Sequence, residues 1–467
     1  VGGIDELGPA VTTTDNNSYS HNYGVESYLA RINYGFKSRY YIDASWRTDG
    51  SSRFHPSDRW GHFWSVGASW RISEEQFMEN TRQWLDNLTL KVSYGVQGND
   101  NLGTYYAWQG LYDYTWPNAT DAGAFVDKLE NRKVTWEKNG NLNAGIEATM
   151  FGGRLGVSVE YYNRKTRDML LNSPLPISTG FTGFNDNVGS LRNQGLEVSL
   201  RGTILDKRDF RWDATLMGSF NRNKVLSLTG GQDVITSGIR VIEVGRPIYT
   251  FYLPKTAGVD PATGKQLYYA YWTQTVNDEG TLVNTRCDEY ITDNVAMATL
   301  SKYYHESREP KLFGSIGSTF TILKNIDVSF LTTYSIGGWV YDGLYNGSMY
   351  VQYAGNNWHK NAKRRWQKPG DKTDVPMLEV GGSYATTSNS LIDASYFAIK
   401  NITVGYTLPK RWLKKIDIES LRIYATLDNI AMFNHMDGMD PQYNFTGSVA
   451  YSYTPSRVIA FGIDLNF

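Results

Sequence analysis

The chain has 467 residues, 41% hydrophobic and 20% charged, which is enough to bury a large apolar surface. A formal net charge of -1 gives no reason to expect nucleic acid, and Cys287, the only cysteine, leaves no internal disulfide and no cysteine-based metal cage. No run of about 18 apolar residues is present, so no transmembrane helix is expected.

What recurs instead is alternation. Segments of about ten residues place apolar side chains on one face and polar ones on the other, as in an outer-membrane β-barrel. Tyr28, Ala30, Ile32 and Tyr34 begin the series, with Arg31 and Asn33 opposite. After the turn Phe36-Lys37-Ser38 come Tyr40, Ile42, Ala44 and Trp46, then Trp64, Val66, Ala68 and Trp70. Ser73 to Asn87 is a longer link before Leu88, Leu90, Val92 and Tyr94. Leu142 to Met150 and Leu155 to Tyr161 flank the tight turn Gly152-Gly153. Leu196, Val198 and Leu200 precede a turn at Asp206-Lys207, and Trp212, Ala214, Leu216 and Phe220 follow. Ile316 to Ile322 and Ile326 to Phe330 turn at Lys324-Asn325. Ile402 to Leu408, Leu421 to Leu427 and Ile459 to Phe467 complete the set.

The reading is all-β: a transmembrane antiparallel β-barrel contributing about thirteen strands. The 33 tyrosines and 14 tryptophans suit its two interfacial girdles. Short turns alternate with long loops, the largest at about 99–136, 228–311 and 337–394. In such barrels short turns are periplasmic and long loops extracellular, which puts the C-terminus in the periplasm. An odd strand number cannot close in lipid, because unpaired backbone groups have no water to bond. Further strands are therefore expected from another polypeptide segment. The chain starts at Val1 without a signal peptide, so an N-terminal part of the gene product is expected outside it. A soluble sandwich or propeller also alternates, but does not explain the Trp and Tyr at strand ends or the loop parity.

Several strings go beyond architecture: Arg47–Phe54, Ser93–Asn99, Val134–Glu137, Asn141–Glu147, Tyr161–Leu170 and Asn193–Leu200. Gly258–Gly264, Arg365–Pro376, Tyr396–Pro409 and Gly438–Gln442 follow. In order and spacing the chain resembles the C-terminal portion of a SusC/RagA-type TonB-dependent transporter. The resemblance implies a barrel of about 22 strands in the outer membrane of a Bacteroidota-type Gram-negative bacterium. It also implies a plug domain and N-terminal strands outside this chain, contact with TonB through that missing part, and a SusD-like surface lipoprotein as partner. Its expected activity is TonB-dependent import of a large oligosaccharide or peptide. A passive outer-membrane pore and a non-transporting surface receptor are the alternatives.

Candidate substrate contacts lie in the outside loops, where rings stack on sugar faces and amides meet hydroxyls. They are Tyr112, Tyr114 and Trp116 with Asn118; Tyr271 and Trp272 with Tyr268 and Tyr269; and Tyr353, Asn357 and Trp358 with Tyr350 and Asn356. The competing reading is that these rings pack the loops or a lid. Asn99-Asp100-Asn101, and Asp437 with Asp440, have oxygen ligands for calcium but no EF-hand spacing, and turn formation explains them equally well. The basic stretch Lys360–Arg365 reads as a solvated flank or as a contact for an anionic substrate or lipopolysaccharide. His55 beside Ser57 and Asp58 suggests a triad by composition only; no catalytic residue, metal or cofactor is assigned.

Overall fold

The computed structural model describes residues 20–114, 123–228, 233–349, 357–379, 384–413, 418–436, 438–442, 446–449 and 453–467. Thirteen strands form one antiparallel sheet, each bonded to its neighbours in sequence. They are β1 (Val25–Phe36), β2 (Tyr40–Ser51), β3 (Trp60–Arg71), β4 (Leu85–Asn99), β5 (Glu137–Met150), β6 (Leu155–Arg167) and β7 (Ser190–Lys207). Next come β8 (Phe210–Ser227), β9 (Leu312–Ile322), β10 (Ile326–Ile336), β11 (Tyr396–Thr407), β12 (Ser420–Asn434) and β13 (Val458–Asn466). β1 and β13 stand at the two ends of that order. Every segment read from alternation is one of these strands. Among the described residues no helix is long and apolar enough to cross a membrane.

The chain divides into two compact units. In the first, register aligns the apolar face strand by strand. Ile32 pairs with Ala44, Ala44 with Val66, Val66 with Tyr94 and Tyr94 with Leu142. One border of this face is aromatic: Phe36, Tyr40 and Trp70 stack at 6.5 and 6.4 Å between centroids. Tyr40 Oη and Trp70 Nε1 both donate to the carboxylate of Glu75 in the following link. The other border carries the pairs Tyr28–Trp60 and Trp46–His62, each 6.2 Å apart. Rings with an apolar body and a polar edge belong at such a border between hydrocarbon and water.

Several of the quoted strings meet in this unit's loop base. Phe54, Phe63, Ala107, Val134 and Trp136 form a buried cluster, and Trp136 Nε1 donates to Arg59 O at 2.8 Å. Arg53 pairs with Asp100 at 3.3 Å, and its guanidinium lies 4.6 Å from the Tyr23 ring centre. Asn187, in the loop before β7, donates from its side chain to Thr135 O and Asp168 O and accepts from Thr135 N.

The second unit shows the same two faces over six strands. One row runs Trp212, Phe320, Val328, Val404, Ala425, Phe461. Phe461 is 81% exposed and Val404 is exposed, while Trp212 and Phe320 are half-buried. In water that exposure would forfeit about 25 cal/mol per Å² of apolar surface; against acyl chains it forfeits nothing. The opposite face runs Asp213, Thr319, Ser329, Thr403, Thr426, with Thr403 and Thr426 hydroxyls 3.0 Å apart. Beside it Arg422 bridges strands, its Nη2 2.7 Å from Asp327 and Nη1 3.3 Å from Asp464.

One irregularity interrupts this pattern. Leu331 pairs with Asn401 but Thr332 with Ile399, so Lys400 is an extra residue in β11. The β12 side accommodates it at Asn429, which has φ +52°. Such a bulge shifts the alternation by one. Beyond it Phe397 is exposed beside Phe433, at 6.5 Å, while Ala398 is buried.

The long connections carry their own structure. Between β8 and β9 a four-stranded sheet uses Val234–Ser237, Arg240–Glu243, Thr250–Pro254 and Lys302–Ser307. A three-stranded sheet uses Thr256–Val259, Gln266–Val276 and Leu282–Thr292. Between β10 and β11, Trp339–Asp342 pairs with Leu391–Asp393. The Gly258–Gly264 and Arg365–Pro376 strings dock on each other. Trp366 Nε1 and Gly370 N both donate to Pro261 O, at 2.9 and 2.8 Å.

Candidate functional site

The loop sheets of the second unit gather a layer of tyrosines from three strands. Tyr252 comes from Thr250–Pro254, Tyr269 and Tyr271 from Gln266–Val276, and Tyr303 and Tyr304 from Lys302–Ser307. Pairing across Thr250–Pro254 and Lys302–Ser307 sets Tyr252 opposite Tyr304, with ring centres 4.9 Å apart. Tyr271 meets Tyr303 edge to face at 5.3 Å.

Cations cover this layer. The Arg246 guanidinium lies 3.7 Å from the centre of Tyr304 and bonds Glu243 at 2.6 Å. Lys255 Nζ stands 4.4 Å from the Tyr269 ring centre, and Arg286 lies 5.2 Å from that of Tyr271. Each such contact is worth about 0.5–1 kcal/mol when exposed, more when water is excluded. Burial raises the Tyr271 phenol, whose hydroxyl donates to Lys302 O at 2.6 Å. Burial first, and then a hydrogen bond with Glu243, raises that of Tyr304. These phenols stay protonated at neutral pH and present hydrogen-bonding edges, not charge.

A cleft of about 680 Å³ opens beside the layer, its walls including Arg246, Lys255, Tyr304, His305, Glu306 and Trp339. It combines rings, hydroxyls and cations, a lining with groups for a polar ligand.

The residues expected from sequence are distributed unevenly around this layer. Tyr271 is in it. Trp272 is next to it, its backbone N–H and that of Tyr271 sharing Ser301 Oγ at 3.1 and 2.9 Å. Tyr268 is a core residue, 1% exposed and packed on Ala298 and Ala385. Tyr112 and Tyr114 are exposed in the first unit, Tyr112 on the strand Leu111–Asp113. Asn357 and Trp358 are exposed just before the short helix Lys360–Arg364. Trp116, Asn118, Tyr350, Tyr353, Asn356 and Asp437 lie outside the described residues. Tyr252, Tyr303, Tyr304 and the three cations were not singled out. Their signal is the tyrosine density spread over 249–304, which a window centred on 268–272 misses.

Among the described residues, the other sequence candidates have their own local partners. Ser57 Oγ lies between His55 Nδ1 at 2.7 Å and Asp58 Oδ2 at 2.5 Å, so the hydroxyl separates base from carboxylate instead of ending the relay. Asp100 is engaged by Arg53, Tyr23 and Ser51, which leaves it a staple between loops. Arg364 of the basic stretch pairs with Asp374 at 3.1 Å.

Comparison with known proteins gives consistent results. A family model described as "TonB dependent receptor-like, beta-barrel" matches residues 2–430. The chain is 29% identical over 476 residues to TonB-dependent receptor P26 of Formosa agariphila, covering 95% of this chain and 46% of that protein. It is 28% identical over 466 residues to TonB-dependent receptor SusC of Bacteroides thetaiotaomicron, covering 96% and 44%. Among solved structures it superposes on the RagAB peptide transporter with a TM-score of 0.82 and 29% identity, covering 98% of this chain and 49% of that one. The chain thus spans about half the length of the curated relatives it matches.

Proposed function

Because the chain belongs to the TonB-dependent receptor family, whose barrels span the outer membrane of Gram-negative bacteria, we propose that it forms the C-terminal part of an active importer. The cargo in this reading is a large nutrient, an oligosaccharide or a peptide. The observation that carries it is the two-faced sheet. Its apolar rows are half-buried to exposed and in register over many strands, and polar and charged rows lie behind them. That is a wall between lipid and a water-filled lumen.

The rest of the reading follows from that wall. β1 and β13 pair with strands of the remaining polypeptide, since a sheet edge has no partner in hydrocarbon. The long connections, with the tyrosine layer among them, face outward, and the short turns and Phe467 face the periplasm. A plug from the remaining portion gates the lumen, and TonB works on that plug. A SusD-like lipoprotein covers the loops. The chain does no covalent chemistry on its cargo.

The test is uptake of labelled oligosaccharides and peptides by cells with and without the gene, each with and without TonB. Uptake that needs both supports the importer. Uptake that needs the gene but persists without TonB makes the protein a passive pore.

A further inference from the structure

The two cations in the wall of the cleft beside the tyrosine layer are not alike. Arg246 is already neutralised by Glu243, and its flat guanidinium is laid on Tyr304. Lys255 is different. It is exposed, and its ammonium stands over ring faces, Tyr269 at 4.4 Å and Tyr303 at 5.8 Å. Among the described residues no carboxylate pairs with it. His305, the other basic wall residue, spends Nε2 on Leu253 O at 3.2 Å. Glu306 is exposed at the wall of the same cleft.

We propose that this cleft binds a carboxylate carried by the imported oligomer, with Lys255 as its charge partner and the rings of Tyr304 and Trp339 beside the adjoining unit. This rests on the import reading above and adds the chemical class of the cargo. A single unpaired ammonium matches a monovalent anion. Phosphate monoesters, close to dianions at neutral pH, favour several converging cations, often forked guanidinium groups, and the one guanidinium in this wall is occupied. Glu306 repels a dianion more strongly than a monoanion. The volume of about 680 Å³ admits a few sugar rings or residues, so the carboxylate is read together with its neighbours. A uronic-acid sugar and an acidic peptide supply the same group.

The experiment is equilibrium binding to the complete receptor, purified in detergent with any partner lipoprotein. The probes are hexagalacturonate against maltohexaose, and an aspartate-containing nonapeptide against its asparagine counterpart. One acid is expected to bind about tenfold tighter than its neutral match, the size of a charge-assisted hydrogen bond. Which acid does so identifies the source. Lys255→Gln should abolish that preference, and Lys255→Arg should restore it. The preference should also weaken with added salt. Equal binding of acid and neutral probes, equal loss of both in Lys255→Gln, or no binding of either acid overturns the proposal. Failure of the import reading shows separately: the Lys255-dependent preference persists in binding while cells show no gene-dependent uptake.

Discussion

Gly264 passes directly beneath the indole of Trp366. A Cβ built on Gly264 would lie 2.4 Å from Trp366 Cε3, and the residue has φ +76°, a conformation that side chains resist. Two distant strings of the sequence, 258–264 and 365–376, thereby become one packed structure, closed by Met377 N donating to Gly264 O at 2.8 Å.

Gly264→Ala should therefore open this contact. Left-handed strain and the ring clash together cost about 2–4 kcal/mol, and the loss should stay local. Hydrogen exchange at Met377 should accelerate by a factor of about 30 or more, at RT per e-fold, while the strands keep their protection.

On the polar face of the wall Tyr424 spreads over Gly462. A Cβ at Gly462 would fall 2.3 Å from the ring, so Gly462→Ala should push Tyr424 aside and weaken the seam between β12 and β13. Gly218→Ala is the matched control, because its Cβ meets only Tyr334 Oη at 3.5 Å and Leu312 Cδ1 at 3.7 Å. The folded fraction, read as compact migration on unheated gels, should fall for the first and not for the second.

Deleting Lys400 removes the extra residue of β11. Ile399 and Asn401 already face opposite sides across it, so without it β11 pairs regularly with β10, and Phe397 keeps its place beside Phe433. The expected result is a barrel that still folds, with a loss of no more than about 1–2 kcal/mol taken up on the β12 side, where the register also shifts between Ile399 and Asn401. Lys400→Ala, which keeps the bulge, should behave like wild type in urea unfolding from lipid vesicles.

His305 supplies a pH dependence. Burial holds its imidazole below the usual range, with Lys255 adding to the effect. The folded loop keeps the ring neutral, while the opened loop titrates near 6.5. Proton uptake therefore favours the opened state, so stability is full above about pH 6.5 and declines as pH falls toward the folded value. Exchange protection over 250–307, corrected for intrinsic rate, should drop between about pH 7 and 5, and His305→Gln should flatten that slope.

These cases show which parts of the molecule were readable in advance. Alternation located all thirteen strands because solvent differs on the two faces, and each face leaves its own mark on residues such as Ile459 and Asn466. The bulge was not legible. Nothing local to Lys400 announces that Phe397 has changed sides, since both registers look apolar there. The tyrosine layer was half legible. Tyr271 stands out in sequence, but its partners Tyr303 and Tyr252 arrive from strands brought together only by loop folding. Tyr268, equally aromatic, proved to be packing.

The row from Trp212 to Phe461 has one last implication, for error correction. Sliding β13 by a single position along β12 would turn Asp464 into hydrocarbon and Ile463 and Phe461 toward water. A carboxylate turned into hydrocarbon is penalised less toward the interface, where Asp464 lies near the end of β13, than at mid-membrane, and each misplaced ring adds to that. The bilayer thus acts as a proofreader, penalising mistaken seams before any loop has settled.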